Sequence, residues 1–122
     1  MLSHISLGVR DLTRATRFYD AVLAELGYVR LWTGTAGIGY GARGGGEKLN
    51  IFESPNASPA GEGFHLAFEA PAPTAVDSFH AAALANGGVT VGPPGPRPHY
   101  GATYYAAFVR DPEGHKLEAV HQ

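Results

Sequence analysis

The sequence of 122 residues contains no cysteine, which excludes disulfide bonds and thiolate metal sites. A metal ion would have to be bound by His, Asp, Glu or Asn side chains. The formal net charge is −2 and the basic residues are scattered, which argues against a nucleic-acid partner. No apolar run is long enough to cross a membrane and no secretory signal is recognisable. We therefore expect a cytoplasmic protein that binds a small molecule and has no membrane partner.

The sequence does contain an internal repeat. Hydrophobic residues make up 44% of the chain, enough for a single domain over residues 1–122. The segment that begins at residue 65 repeats the segment that begins at residue 4. The identical pairs are His4 and His65, Thr13 and Thr74, Phe18 and Phe79, Ala21 and Ala82, Leu23 and Leu84, Ala24 and Ala85, and Gly27 and Gly88. We infer two related modules, about residues 1–58 and about 62–122.

Each module has the same predicted order of elements. A strand with alternating apolar residues, HISLGV or HLAFEA, precedes a helix over 13–26 or 74–86, and three short strand candidates follow. Thr74 and Asp77 form a capping pair that predicts the start of the second helix. Helices would cover one side of the strands and leave the other side free to curve around a cavity. We therefore predict an α+β fold in which two βαβββ modules form a cupped mixed sheet around a central cavity.

Four polar residues occupy equivalent positions in the predicted strands. His4 and His65 begin the first strand of each module. The segment KLNIF at 48–52 resembles KLEAV at 116–120, which makes Asn50 equivalent to Glu118. Period-two alternation places all four side chains on the cavity side of the strands. A lone histidine on a strand is usually a packed residue, but two at equivalent positions beside a glutamate favour a metal site.

These segments resemble the vicinal oxygen chelate superfamily, which includes glyoxalase I, bleomycin and fosfomycin resistance proteins and extradiol dioxygenases. The resemblance covers HISLGVRDLTRATRFYDAVLAELGY, FHLAFEA and AFVRDPEGHKLEAV, and the last of these is the most specific. It implies a paired βαβββ fold around one divalent metal ion. The ligands that the resemblance implies are His4, His65 and Glu118, with Fe, Mn, Zn, Ni or Co as the ion.

Asn50 departs from the glyoxalase I branch, which has a metal-binding glutamate at this position that also serves as the base. A carboxamide has no usable basicity near neutral pH, so Asn50 argues against true glyoxalase I activity. The remaining two-histidine, one-carboxylate set suits a substrate that chelates the metal through neighbouring oxygens. The expected reaction is either oxygen-dependent cleavage or a lyase or isomerase rearrangement.

The extradiol dioxygenase branch suggests further site residues. It has a histidine before the final hairpin, where His99 stands here, and a tyrosine where this chain has Phe108. Tyr104 and Tyr105 are near enough in sequence to substitute for that tyrosine. We predict His99 and Tyr104 as catalytic residues. The predicted substrate-binding residues are Asn50, Phe52, Tyr100, Tyr105 and Phe108.

A metal-free alternative remains open at this stage. Several members of the superfamily keep the fold and sequester a drug or metabolite without a metal, and His4 and His65 would then bind ligand or water. Exposed sheet edges in small two-module folds favour association, so we expect a homodimer. The sequence does not decide whether the site forms within one chain or between two.

Overall fold

The computed structural model describes residues 1–122. The first module consists of β1 (Ile5–Val9), α1 (Leu12–Ala24), β2 (Tyr28–Thr33), β3 (Gly37–Ala42) and β4 (Leu49–Glu53). The second consists of β5 (Leu66–Glu69), α2 (Pro73–Ala85), β6 (Val89–Pro96), β7 (Tyr105–Arg110) and β8 (Lys116–His121). The predicted α+β architecture of two βαβββ modules is confirmed.

The two modules form separate four-stranded sheets of identical topology. Their strand orders are β1-β4-β3-β2 and β5-β8-β7-β6. In each sheet the first and last strands of the module pair in parallel, while the other pairs are antiparallel. The first strand is thus an edge strand in both sheets, and the last strand of each module lies beside it.

The two helices pack against each other and against the sheets. Helix α1 is amphipathic: Phe18, Tyr19 and Val22 are fully buried, and Asp11 caps its first turn by accepting a hydrogen bond from the backbone N–H of Arg14. Apolar residues of both modules form one continuous core. Neither helix is long and apolar enough to cross a membrane.

The start of α2 differs from the prediction. The helix begins at Pro73, after Ala72, and no side chain caps it. Proline suits a first-turn position because its missing N–H would have no partner there and its φ angle is already helical. Asp77 instead accepts a hydrogen bond from the hydroxyl group of Tyr105 at 2.7 Å.

Strand β6 is longer than the sequence indicated. It continues through Pro93, Pro94 and Pro96, although proline cannot donate a ladder hydrogen bond. This is possible because β6 is an edge strand paired with β7 alone, and its register shifts on both sides of Gly92. The proline-rich end of β6, residues 93–96, is therefore an irregular edge strand.

Candidate metal and ligand site

His65 and Glu118 meet on the open side of the second sheet. His65 directly precedes β5, and Glu118 lies in β8, the strand that pairs with β5. The Nε2 atom of His65 lies 2.9 Å from Oε2 of Glu118. The side chain of Glu118 is 2% exposed and that of His65 is 41% exposed, so the pair has a buried carboxylate and an accessible imidazole. Two of the three predicted metal ligands are therefore in contact.

Tyr104 binds the second oxygen of the same carboxylate. Its hydroxyl group donates a hydrogen bond to Oε1 of Glu118 at 2.5 Å. Burial against the cavity wall, and after it this hydrogen bond, raises the pKa of Tyr104 to about 12. Tyr104 therefore keeps its proton near neutral pH and acts as a hydrogen-bond donor to Glu118, with no capacity to act as a base.

A cavity of about 450 Å³ opens above this pair. Phe108 of β7 lies opposite Glu118 in the β7–β8 ladder and forms part of the cavity lining with Tyr100 and Tyr104. The ring of Phe108 meets the ring of His65 edge to face, with centroids 5.8 Å apart. Three predicted site residues thus line the cavity beside the pair of His65 and Glu118.

Asn50 lies on the first sheet, where Trp32 holds its side chain. The Nε1–H of Trp32 donates a hydrogen bond to Oδ1 of Asn50 at 3.1 Å, and Asn50 is 6% exposed. The indole crosses Gly39, where a Cβ would clash with both Trp32 and Asn50. The half-exposed ring of Phe52 packs against Trp32 at 5.9 Å between centroids. The glycines at alternate positions of β3, Gly37 and Gly39, leave the space that the indole occupies. They are the sequence feature that could have indicated this packing.

His4 lies apart from His65 and Glu118. It is exposed, its Nδ1 pairs with the hydroxyl group of Ser3 at 2.9 Å, and it borders a separate depression near Leu66. No three His, Asp or Glu residues of one chain are placed to hold a metal ion together. The reason is topological, because His4 leads into the first sheet while His65 and Glu118 belong to the second. The role of His4 as a ligand stays a prediction.

The remaining predicted residues take different positions. His99 is exposed and its ring packs on Tyr100, with centroids 4.1 Å apart, so it reaches the cavity lining only through that neighbour. Tyr105 points away from the cavity toward α2, where it binds Asp77. An odd separation of three from Phe108 places the two side chains on opposite faces of β7. Tyr105 therefore does not line the cavity, unlike Tyr100 and Phe108, which were predicted with it.

Sequence reasoning missed two basic residues of the cavity. Arg97 and Lys116 both line it, and neither was predicted as a site residue. The position of Lys116 could have been predicted, because it is two residues before Glu118 and therefore lies on the same face of β8. No comparable signal existed for Arg97, because its proline-rich surroundings obscure any periodicity.

The paired modules and the histidine–glutamate pair above an open sheet define a protein of the glyoxalase and dioxygenase type. The family comparison agrees: the profile of the Glyoxalase/Bleomycin resistance protein/Dioxygenase superfamily matches residues 1–119. The chain belongs to this superfamily. A search of functionally curated proteins gives no match.

Solved structures show the same fold. A glyoxalase/bleomycin resistance protein from Albidiferax ferrireducens T118 is 38% identical, with a TM-score of 0.88 over 100% of this chain and 99% of that one. A glyoxalase-related enzyme from Fulvimarina pelagi is 23% identical, with a TM-score of 0.77 over 100% and 88%. The fosfomycin resistance protein FosX from Listeria monocytogenes is 21% identical, with a TM-score of 0.71 over 98% and 91%.

Proposed function

We propose that the protein is a metal-dependent enzyme that binds a small substrate through neighbouring oxygens. The observation that carries this proposal is the contact between His65 and the buried carboxylate of Glu118 at the base of the cavity. Imidazole nitrogen and carboxylate oxygen are donors that suit Fe, Mn, Zn, Ni or Co. An ion bound by both side chains would replace their direct contact. It would also neutralise the negative charge of the buried Glu118 carboxylate.

We further propose that His4 of a second copy completes the site. One chain supplies a histidine and a glutamate on the second sheet and a histidine on the first, without bringing the three together. Two copies related by a twofold axis would place the first sheet of each chain against the second sheet of the other, and so form two equivalent sites. The protein would then function as a homodimer.

The bound metal ion would supply Lewis-acid polarisation of the substrate oxygens and, for a redox-active ion, access to dioxygen chemistry. Residues of the chain would orient the metal ligands, contact the substrate and transfer protons. Tyr104 fixes the orientation of Glu118 through its hydrogen bond, and Phe108 provides an apolar surface beside it. His99, next to Tyr100, remains our proposed group for proton transfer at the cavity.

Asn50 narrows the type of reaction. If the first sheet of a partner covers the site, Asn50 brings an amide that cannot accept a proton from a hemithioacetal. We therefore propose oxygen-dependent cleavage or a lyase or isomerase rearrangement, and we do not expect glyoxalase I turnover.

The test of the proposal is the metal content of the native protein. Protein purified without a chelator or a histidine tag should contain close to one divalent ion per chain, measured by elemental analysis. Glu118→Gln should lose most of it, because it removes the only charged ligand. Glu69→Gln is the matched control, since Glu69 lies on the neighbouring strand and is exposed. Equal metal content in all three proteins, or none in the parent, would refute the proposal.

One observation favours a second candidate function. His65, Tyr104 and Glu118 satisfy one another through direct contacts without a further ligand. A metal-free protein that sequesters a drug or metabolite in the 450 Å³ cavity fits this arrangement. A metal-free native protein that binds small aromatic ligands would support this alternative.

A further inference from the structure

Two cationic side chains converge on one aromatic ring in the cavity. The guanidinium carbon of Arg97 lies 5.8 Å from the centroid of Phe108, and the ammonium nitrogen of Lys116 lies 5.3 Å from it. Both distances allow attraction to the ring, which partly offsets the repulsion between the two charges. Neither Arg97 nor Lys116 forms an ion pair, since the ion pairs of the chain involve other residues.

Arg97 is held in place by backbone carbonyl groups. Its Nη1 donates to the carbonyl oxygens of Gly95 and Pro96, at 2.9 and 3.4 Å, and its Nη2 donates to that of Pro93 at 2.8 Å. These bonds orient the guanidinium group and leave its charge without a counterion. Gly92 provides space for this arrangement, because a Cβ there would lie 3.1 Å from Phe108 and 3.4 Å from Arg97.

The acidic residue of the cavity lining does not pair with Arg97 or Lys116. Glu118 is the only acidic residue of the lining, and its two oxygens contact His65 and Tyr104. Two uncompensated cations therefore face a concave space large enough for a small molecule. This combination is typical of sites that bind an oxyanion.

We propose that Arg97 and Lys116 bind an anionic group of the substrate, a carboxylate or a phosphoryl oxyanion, while other atoms of the same molecule occupy the metal site. This inference rests on the proposed function for the position of the reacting end. Lys116 and Glu118 are two residues apart on one face of β8, a separation on the order of 7 Å along the strand. The substrate class is thus a small organic anion whose charged group lies about that far from its chelating oxygens.

The anion site can be tested without any metal. Inorganic phosphate and, separately, acetate would be titrated calorimetrically into chelator-treated protein at low ionic strength. We expect phosphate or acetate to bind the parent, and Arg97→Gln and Lys116→Gln each to weaken binding about tenfold, the effect of losing one charge-assisted hydrogen bond. Binding of phosphate alone would assign a phosphoryl group, and binding of acetate a carboxylate.

Arg43→Gln is the matched control, because Arg43 is exposed outside the cavity and its replacement changes the net charge equally. It should change the affinity less than about twofold through screened long-range effects. Equal losses in all three variants, or a parent that binds neither anion, would overturn the proposal. If Arg97→Gln disturbs the proline-rich segment, the result for Lys116→Gln tests the proposal by itself. The side chain of Lys116 forms no hydrogen bond to that segment. Metal content in the same variants separates the two proposals, because the loss of anion binding should leave the metal in place.

Discussion

The carboxylate of Glu113, in the turn after β7, accepts a hydrogen bond from the backbone N–H of Asp11, the residue that caps α1, at 3.0 Å. The backbone N–H of Arg10 and the guanidinium group of Arg14 donate to the same oxygen at 3.0 Å. In the same turn, Asp111 accepts a hydrogen bond from the hydroxyl group of Tyr19 at 2.6 Å. The turn over residues 111–114 of the second module therefore binds to α1 of the first module through these hydrogen bonds.

Glu113 should make stability depend on pH. Burial by itself would raise its pKa, but the hydrogen bonds from Arg10, Asp11 and Arg14 outweigh burial and lower the pKa from 4.5 to about 2. A depressed carboxyl pKa means that the folded state binds fewer protons than the unfolded state. The contribution is therefore fully present above pH 5 and is lost as the pH falls from about 5 to about 2.

Replacing Glu113 tests this relationship. Glu113→Gln should lower the free energy of unfolding near neutral pH by about 2 kcal/mol, because the charge-assisted bonds become neutral ones. It should also flatten the pH dependence of stability between pH 5 and 3, measured by urea unfolding. Glu47→Gln, at an exposed position without side-chain partners, is the control. A variant that keeps the parent's pH profile would contradict the role of Glu113.

Tyr104 should support metal binding without contacting the ion. Tyr104→Phe removes the hydrogen bond that orients Glu118, and partners of this kind typically affect metal affinity about 10- to 100-fold. Calorimetric titration with Zn²⁺ should show that loss. Tyr100→Phe should leave the affinity unchanged, because the Tyr100 hydroxyl has no partner at the carboxylate.

The raised pKa of Tyr104 gives a spectroscopic check of the same contact. With a pKa of about 12, Tyr104 stays protonated between pH 7 and 10, and its bond to Glu118 persists over that range. Difference absorbance between the parent and Tyr104→Phe should therefore show no tyrosinate from this residue below pH 10. Ionisation of Tyr104 at its ordinary pKa would mean that the bond is absent in solution.

Asn50 should decide whether the protein can isomerise a hemithioacetal. The metal-loaded parent should show no turnover, because an amide is not a base, whereas Asn50→Glu should introduce measurable turnover. A glutamate there can still accept the hydrogen bond from Trp32. Thioester formation from glutathione and methylglyoxal is the assay, and Asn50→Gln is the control without a base. Robust turnover by the parent would show that another group serves as the base.

Periodicity predicted the fold well because each module buries one face. The apolar alternation of Ile5, Leu7 and Val9, and the helical spacing of Phe18 and Val22, correspond to observed elements. The internal repeat also made Asn50 equivalent to Glu118, and the two residues lie in the corresponding last strands of the modules, β4 and β8. What periodicity cannot encode is how the two sheets meet, which is why the sequence left open whether His4 and His65 of one chain belong to the same site.

One residue of the site, Arg97, was outside the reach of sequence patterns. Arg97 is positioned by carbonyl groups of its own proline-rich segment, an interaction that depends on the path of the backbone and on no repeating pattern. Tyr105, by contrast, could have been excluded from the cavity in advance. Its odd separation from Phe108 already places it on the helix side of β7.

A site shared between two copies predicts complementation between two inactive variants. His4→Ala and Glu118→Gln should each lose the metal site when prepared alone. If ligands come from both chains, a mixed dimer has one site in which all three ligands are intact and one that lacks both His4 and Glu118. After unfolding and refolding together in equal amounts, about a quarter of all sites should recover metal binding, given random pairing in a closed twofold dimer.

The complementation experiment has a direct control and a decisive alternative outcome. Mixing His4→Ala with His4→Ala prepared separately should restore nothing, since every site then lacks the same ligand. Elemental analysis of the refolded dimers measures the recovery, and size-exclusion chromatography confirms that dimers formed. If the three ligands instead converge within one chain, each variant chain carries its own defect and mixing recovers no metal at all. That result would locate the site in a single chain and remove the need for a partner, whereas recovery would show that dimerisation builds the site.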